Sequence, residues 1–153
     1  MFFAQDFLSE NNITLSKVIA KEDEKTFTMH FKFKQVLSVN LFEEFQKGLA
    51  KLERELRRYK VIYQYEYDDL MLTSSNLYLD YYRYLLAHSL DYQIMNLINL
   101  NVQFKNGCFK FILTDSKKVT DEAIGKIKEL FLKYGLQVDF ECEVINKEEV
   151  LAI

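Results

Sequence analysis

Along this chain the apolar positions switch repeatedly between a period of two and a period near three and a half. The clearest alternation is Phe27, Met29, Phe31 and Phe33 against Thr26, Thr28, His30, Lys32 and Lys34. Such a run places one face of a strand in the core and the other in water. Before it, Ile13–Ala20 reads as a strand and Lys21-Glu22-Asp23-Glu24 as a charged turn. After it, Leu41, Phe42, Phe45, Leu49, Leu52 and Leu56 draw a helical stripe to about Arg57. Asn40 is the expected N-cap, with Glu43 at the capping-box position. Gly48 beside that stripe leaves room for close helix–sheet packing. Tyr59, Val61, Tyr63, Tyr65 and Tyr67 alternate again as a closing strand.

The same grammar returns further on. Val102 and Phe104 lead to Asn106-Gly107, the strongest short hairpin signal, because both turn positions tolerate positive φ. Phe109, Phe111 and Leu113 face the core on the return strand. Thr120, with Asp121 and Glu122 in the first turn, opens a helix carrying Ile124, Ile127, Leu130, Phe131 and Tyr134. Gly135 ends it as the C′ residue, and Leu136, Val138, Phe140, Cys142 and Val144 make the last strand. Between the two units, Ser75 or Asn76 caps a helix with Leu77, Tyr81, Leu85 and His88 on one side. A short helix over Tyr92–Ile98, apolar on most of its surface, reads as sandwiched. Phe2, Phe3, Phe7 and Leu8 suggest an N-terminal helix to about Glu10.

The class is therefore α+β: two hairpin–helix–strand (ββαβ) units at about 13–67 and 102–145, joined by two central helices at about 77–98. One domain over residues 1–153 is the expectation, because a single three-stranded layer with one helix buries too little alone.

Composition sharpens this reading. Four Gly and no Pro leave little room for flexible linkers, while 13 Phe and 10 Tyr supply the core. The net charge of −3 carries no general basic excess, so nucleic-acid contact would need a local patch. The candidate is the basic run at the first helix's end, Arg54, Arg57, Arg58 and Lys60. Lys32 and Lys34 could join it in a weak single-strand binder. Cys108 and Cys142 lie in apolar strand patterns and read as reduced, buried thiols. That usage and the N-terminus, which lacks a basic leader, point to the cytoplasm, and no apolar run nears the roughly 20 residues that cross a bilayer.

Catalytic chemistry finds few groups to work with. Two His and two separated Cys give no zinc-ligand spacing, and no cofactor is expected. Phosphate-loop, dinucleotide-fingerprint and nucleophile-elbow patterns are absent. Asp139-Phe140-Glu141 has the spacing of a two-metal nuclease strand, but Asp139, Glu141 and Glu143 share the face opposite the core and read as a solvated row. No catalytic residue and no metal ligand is assigned.

The stretch Lys25-Thr26-Phe27-Thr28-Met29-His30-Phe31-Lys32-Phe33, then Leu37 and the helix from Leu41, resembles the N-terminal region of PolC-type replicative DNA polymerase III alpha subunits. Two helices, a Lys-containing hairpin over Asn101–Leu113, a further helix and a last strand continue the resemblance from about Ile13 to Ile145. It implies a type II KH-like fold, similar to the C-terminal domain of the clamp-loader tau subunit. It further implies an N-terminal fragment whose polymerase and 3′–5′ exonuclease residues lie downstream. The implied role is non-catalytic docking to a replisome protein, either the tau subunit or another part of the polymerase, with no membrane contact. The Gly-x-x-Gly loop of nucleic-acid-binding KH domains is missing. The outward side of the first hairpin supplies the candidate docking residues Thr28, His30, Lys32 and Lys34.

Overall fold

The computed structural model describes residues 6–68, 74–114 and 119–145. The class is α+β, and the chain divides into two compact units, Met1–Thr73 and Ser74–Ile153. Each holds one three-stranded sheet.

In the first unit, helix α1 (Phe7–Glu10) precedes β1 (Ile13–Lys21), β2 (Thr26–Phe33), α2 (Val39–Glu55) and β3 (Lys60–Tyr67). The sheet order is β1-β2-β3, with β1 antiparallel and β3 parallel to the central β2. Parallel neighbours need a crossover, and α2 is that crossover. Period two then decides what the helix covers. Phe31 and Phe33 point at α2 and meet Phe45 with ring centroids 5.0 and 5.5 Å apart. Tyr65 of β3 closes on Phe33 at 5.6 Å and on Phe42 at 5.7 Å. Phe31, Phe33, Phe42 and Phe45 are all essentially solvent-free. Gly48, Leu49 and Leu52 continue the buried stripe of α2.

Two local features depart from the sequence pattern. The N-cap of α2 is Ser38, whose hydroxyl accepts the Leu41 N–H at 3.3 Å, so the helix begins at Val39 and Asn40 lies inside it. Strand β1 carries a bulge between Leu15 and Lys17, where Ser16 donates its hydroxyl to the His30 carbonyl at 3.2 Å. The extra residue shifts the alternation. Ile13 and Leu15 before the bulge, and Val18 and Ala20 after it, all pair with the helix-side residues of β2. Of the expected N-terminal helix, Phe7–Glu10 is observed, while Phe2 and Phe3 lie outside the described residues.

The second unit runs α3 (Ser75–Ala87), α4 (Tyr92–Met95), a 3₁₀ turn (Asn96–Asn99), β4 (Asn101–Lys105), β5 (Cys108–Thr114), α5 (Asp121–Leu132) and β6 (Asp139–Ile145). The sheet repeats the pattern, order β4-β5-β6, with β5 central and β6 parallel to it. Asn106 and Gly107 both take positive φ, as the two-residue hairpin requires. Gly135 (φ 74°) ends α5 in a Schellman motif: Leu136 N–H bonds the Phe131 carbonyl and Gly135 N–H the Leu132 carbonyl. The helices expected between the halves fall within this unit, where α3 packs on β4 and α5. Tyr82 of α3 lies over Phe109 at 5.5 Å and donates its hydroxyl to the Leu97 carbonyl at 2.8 Å. That bond satisfies a hydroxyl with no access to water, and the same burial pushes its pKa up.

Three further expectations are corrected here. The cap of α3 is Ser74, bonded to Leu77 N–H at 3.3 Å, ahead of the Ser75 and Asn76 candidates. The segment Tyr92–Ile98 is not sandwiched: it is one α-turn passing into a 3₁₀ turn, with Ile94 and Leu97 buried but Tyr92 80% exposed. The last strand begins at Asp139, so Leu136 and Val138 enter the core from the loop before it, and Cys142 is exposed. Edge position accounts for this, since among the described residues nothing in the unit pairs beyond β6.

Stability follows from these contacts. Phe33→Ala should cost roughly 3–5 kcal/mol in a urea titration, the usual penalty for emptying an aromatic site. Tyr82→Phe should cost roughly 0.5–1.5 kcal/mol, because the buried Leu97 carbonyl loses one of two donors and keeps only the Leu100 N–H. A polar cluster adds a pH dependence. Lys126 donates to Asp91 at 2.8 Å and to Gln93 at 3.1 Å, tying α4 to the middle of α5. The Lys126 bond, then the Gln93 N–H, hold Asp91 below the usual carboxylate range, and the Asp91 bond raises Lys126. A lowered carboxyl stabilises above its unfolded pKa and stops as pH falls through the folded one. A raised ammonium stabilises below its unfolded pKa and stops as pH rises through the folded one. Asp91→Asn should therefore lower Tm at neutral pH and converge on the parent in strong acid. A difference that persists undiminished in acid would refute this.

Candidate functional site

Each helix covers one side of its sheet, so the other side of each sheet is the surface that the unit's own packing leaves for binding. In the first unit, strand registers arrange that side in rows. Thr14, Lys32 and Glu66 form one row, with Lys32 and Glu66 ion-paired at 3.9 Å. Lys17, His30 and Gln64 form the next, then Ile19, Thr28 and Ile62, then Lys21, Thr26 and Lys60. Ile19, Thr28, His30 and Ile62 are half-buried, whereas Lys17, Lys21, Lys32 and Lys60 are exposed.

Of the docking candidates, Thr28, His30 and Lys32 thus lie together on the central strand. Lys34 does not join them. It follows the end of β2, its N–H bonds the Asn12 carbonyl at 3.2 Å, and it borders a depression of about 580 Å³ with Leu8, Ile13 and Asp68.

The basic candidates divide. Arg54 is in the last turn of α2, its guanidinium nitrogen bonding the Ala50 carbonyl at 3.4 Å. Arg57 joins it beside Ala50 and Glu53 on the exposed side of the helix, around a depression of about 530 Å³. Arg58 follows in the turn, and Lys60 opens β3 on the sheet's helix-free face. The tyrosine row offers no stacking platform on that face. Tyr63, Tyr65 and Tyr67 pair with Met29, Phe31 and Phe33 on the helix side. Tyr63 donates to Glu53 of α2 at 2.7 Å, and burial together with that bond raises its pKa. At the same sheet's end, Tyr59 bonds Glu22 of the β1–β2 turn and stands edge-on to Phe27 at 6.2 Å.

In the second unit, Asp139, Glu141 and Glu143 share the helix-free face with Gln103, Lys105, Cys108 and Lys110. Lys110 pairs Glu143 at 2.9 Å, and Lys128 approaches Asp139 at 3.9 Å. This is an ion-paired strand face. Among the described residues no three His, Cys, Asp or Glu side chains converge on a cation position. His88 caps the end of α3, its Nδ1 2.9 Å from the Tyr84 carbonyl. Cys108 and Cys142 are free, on opposite faces of neighbouring strands, and desolvation raises both thiols. Among the described residues no helix is long and apolar enough to cross a membrane.

Sequence reasoning missed Ile19 and Ile62 as the apolar middle of the first unit's open face. The alternation of Tyr63, Tyr65 and Tyr67 already put Ile62, Gln64 and Glu66 opposite the core. Ile19 was hidden because the bulge at Ser16 inverts the parity of β1.

No curated protein and no solved structure matches the chain significantly. Residues 5–62, which run from the N-terminal helix into the start of β3, match the model of the family described as DNA polymerase III polC-type N-terminus I, the family that the order of elements around Phe27–Phe33 resembles.

Proposed function

We propose that this chain serves as a non-catalytic N-terminal interaction domain of a PolC-type DNA polymerase III alpha subunit. Its parent polymerase replicates DNA, with polymerase and proofreading chemistry carried elsewhere, and this domain docks a replisome protein such as the clamp-loader tau subunit. The family match over residues 5–62 carries the reading, because it falls on the first unit, whose sheet holds the docking candidates on its open face. Thr28, His30 and Lys32 on the central strand are the docking residues. A mixed surface of half-buried and charged side chains on a rigid sheet suits protein recognition, where a small buried centre supplies affinity and a charged rim supplies orientation.

Calorimetry of the full chain against tau, the sliding clamp and helicase-loading proteins tests this. One of them should bind, and His30→Glu combined with Lys32→Glu should weaken binding roughly tenfold without changing the circular dichroism spectrum. No binding to any of them at concentrations up to about millimolar would end the proposal. So would binding to single-stranded DNA alone, falling steeply with salt as counterions are displaced.

A further inference from the structure

The open face of the first sheet has a chemistry of its own. Ile19, Thr28 and Ile62 form a row straight across the three strands, aliphatic at both ends with a small threonine between. The rows on either side contribute Lys17, Lys21 and Lys60, together with Thr26, His30 and Gln64, and no carboxylate. Lys21 is paired with exposed Glu24 of the adjoining turn at 3.9 Å, and among the described residues the one acid of the face itself, Glu66, lies one row further out and is engaged by Lys32. An aliphatic centre with cations on both flanks complements a segment that presents aliphatic side chains between carboxylates.

From this juxtaposition we infer that the face binds an acidic, aliphatic-spaced protein segment, its apolar side chains on Ile19 and Ile62 and its carboxylates on Lys17, Lys21 and Lys60. The inference rests on the docking reading above and adds the partner's chemistry and three contact positions. Nucleic acid fits the face less well. Single strands are held by stacking bases on aromatic rings, and the Phe and Tyr rings of β2 and β3 point to the helix side. Half-buried His30 is the one ring among these lysines, too little for a run of stacked bases.

Nuclear magnetic resonance titration of the full chain distinguishes the cases. The probes are a short peptide alternating glutamate with leucine, its lysine–leucine counterpart, polyglutamate and oligothymidine. The glutamate–leucine peptide should shift the amide signals of Ile19, Thr28, His30 and Ile62, with a Kd of roughly 100 μM or tighter. Lys17→Glu with Lys60→Glu should weaken it roughly tenfold, and Ile62→Ser should weaken it with the charges intact. Equal binding by the lysine–leucine peptide or by polyglutamate, shifts confined to other surfaces, or tighter binding by oligothymidine would each overturn the inference. The two levels separate cleanly. A replisome protein that binds the double lysine variant as well as the parent sinks this surface and leaves the docking reading standing. Peptide binding at this face with no replisome protein bound upholds the surface and sinks the replisome reading alone.

Discussion

The organisation of both units depends on parallel pairing between a central strand and the strand that follows a helix. Parallel neighbours cannot be joined by a tight turn, so the chain must leave the sheet, cross one face and return. In the first unit α2 makes that crossing between β2 and β3, and in the second α5 makes it between β5 and β6. Once the crossing is made on one side, every second residue of the central strand is committed to the core. The large rings follow that commitment: Phe31 and Phe33 against Phe45, and Phe109 against Phe131 at 5.3 Å.

The two units solve the remaining packing differently. The first relies on ring-on-ring contact among Phe33, Phe42, Phe45 and Tyr65, with one long helix as its lid. The second has a shorter crossover helix and recruits α3, whose Tyr78 and Tyr82 lie on Phe104 and Phe109. Recruiting tyrosines brings hydroxyls into the interior, and the 3₁₀ turn supplies the Leu97 carbonyl that accepts one of them. That turn is thus part of the core's polar accounting as well as a connection.

Much of this was legible in the sequence because period two and period three and a half are properties of side-chain direction alone. The alternation of Phe27–Phe33, the Asn106-Gly107 turn and the Gly135 stop all appear where the pattern put them. The misplaced caps share one cause: local chemistry offered several equivalent solutions. Ser38 and Asn40 can both cap, as can Ser74, Ser75 and Asn76, and the choice rests on where the first packed turn falls. The bulge at Ser16 leaves no composition signal, since Ser-Lys within a strand is ordinary, yet it reverses the facing of everything after it in β1. Cys142 looked buried because it continues the parity of Val138 and Phe140, whereas the edge strand outruns its cover. The candidate site was legible only along β2, where no irregularity intervenes. The open face as a surface needed the pairing registers of β1 and β3.

A one-sided sheet also separates two demands on the same strand. Residues facing the helix are held by volume, where a lost ring costs several times what a surface change does. Residues facing away are free of that constraint, so their charge can be set by whatever they meet. The two sheets illustrate this freedom. Their inner faces are alike in kind, apolar and Phe-rich beneath a crossover helix, yet their outer faces differ in sign and arrangement. The first sets Lys17, Lys21 and Lys60 around an aliphatic row, while the second interleaves Asp139, Glu141 and Glu143 with Lys105 and Lys110. On the second face the charges answer one another, as in the 2.9 Å pair of Lys110 and Glu143. On the first, Lys17 and Lys60 stand beside Ile19 and Ile62 with no carboxylate across the strands from them, and Lys21 meets only Glu24 of its own turn, at 3.9 Å. Stability alone gives no reason to gather like charges beside an aliphatic row, and the acidic segment we propose would.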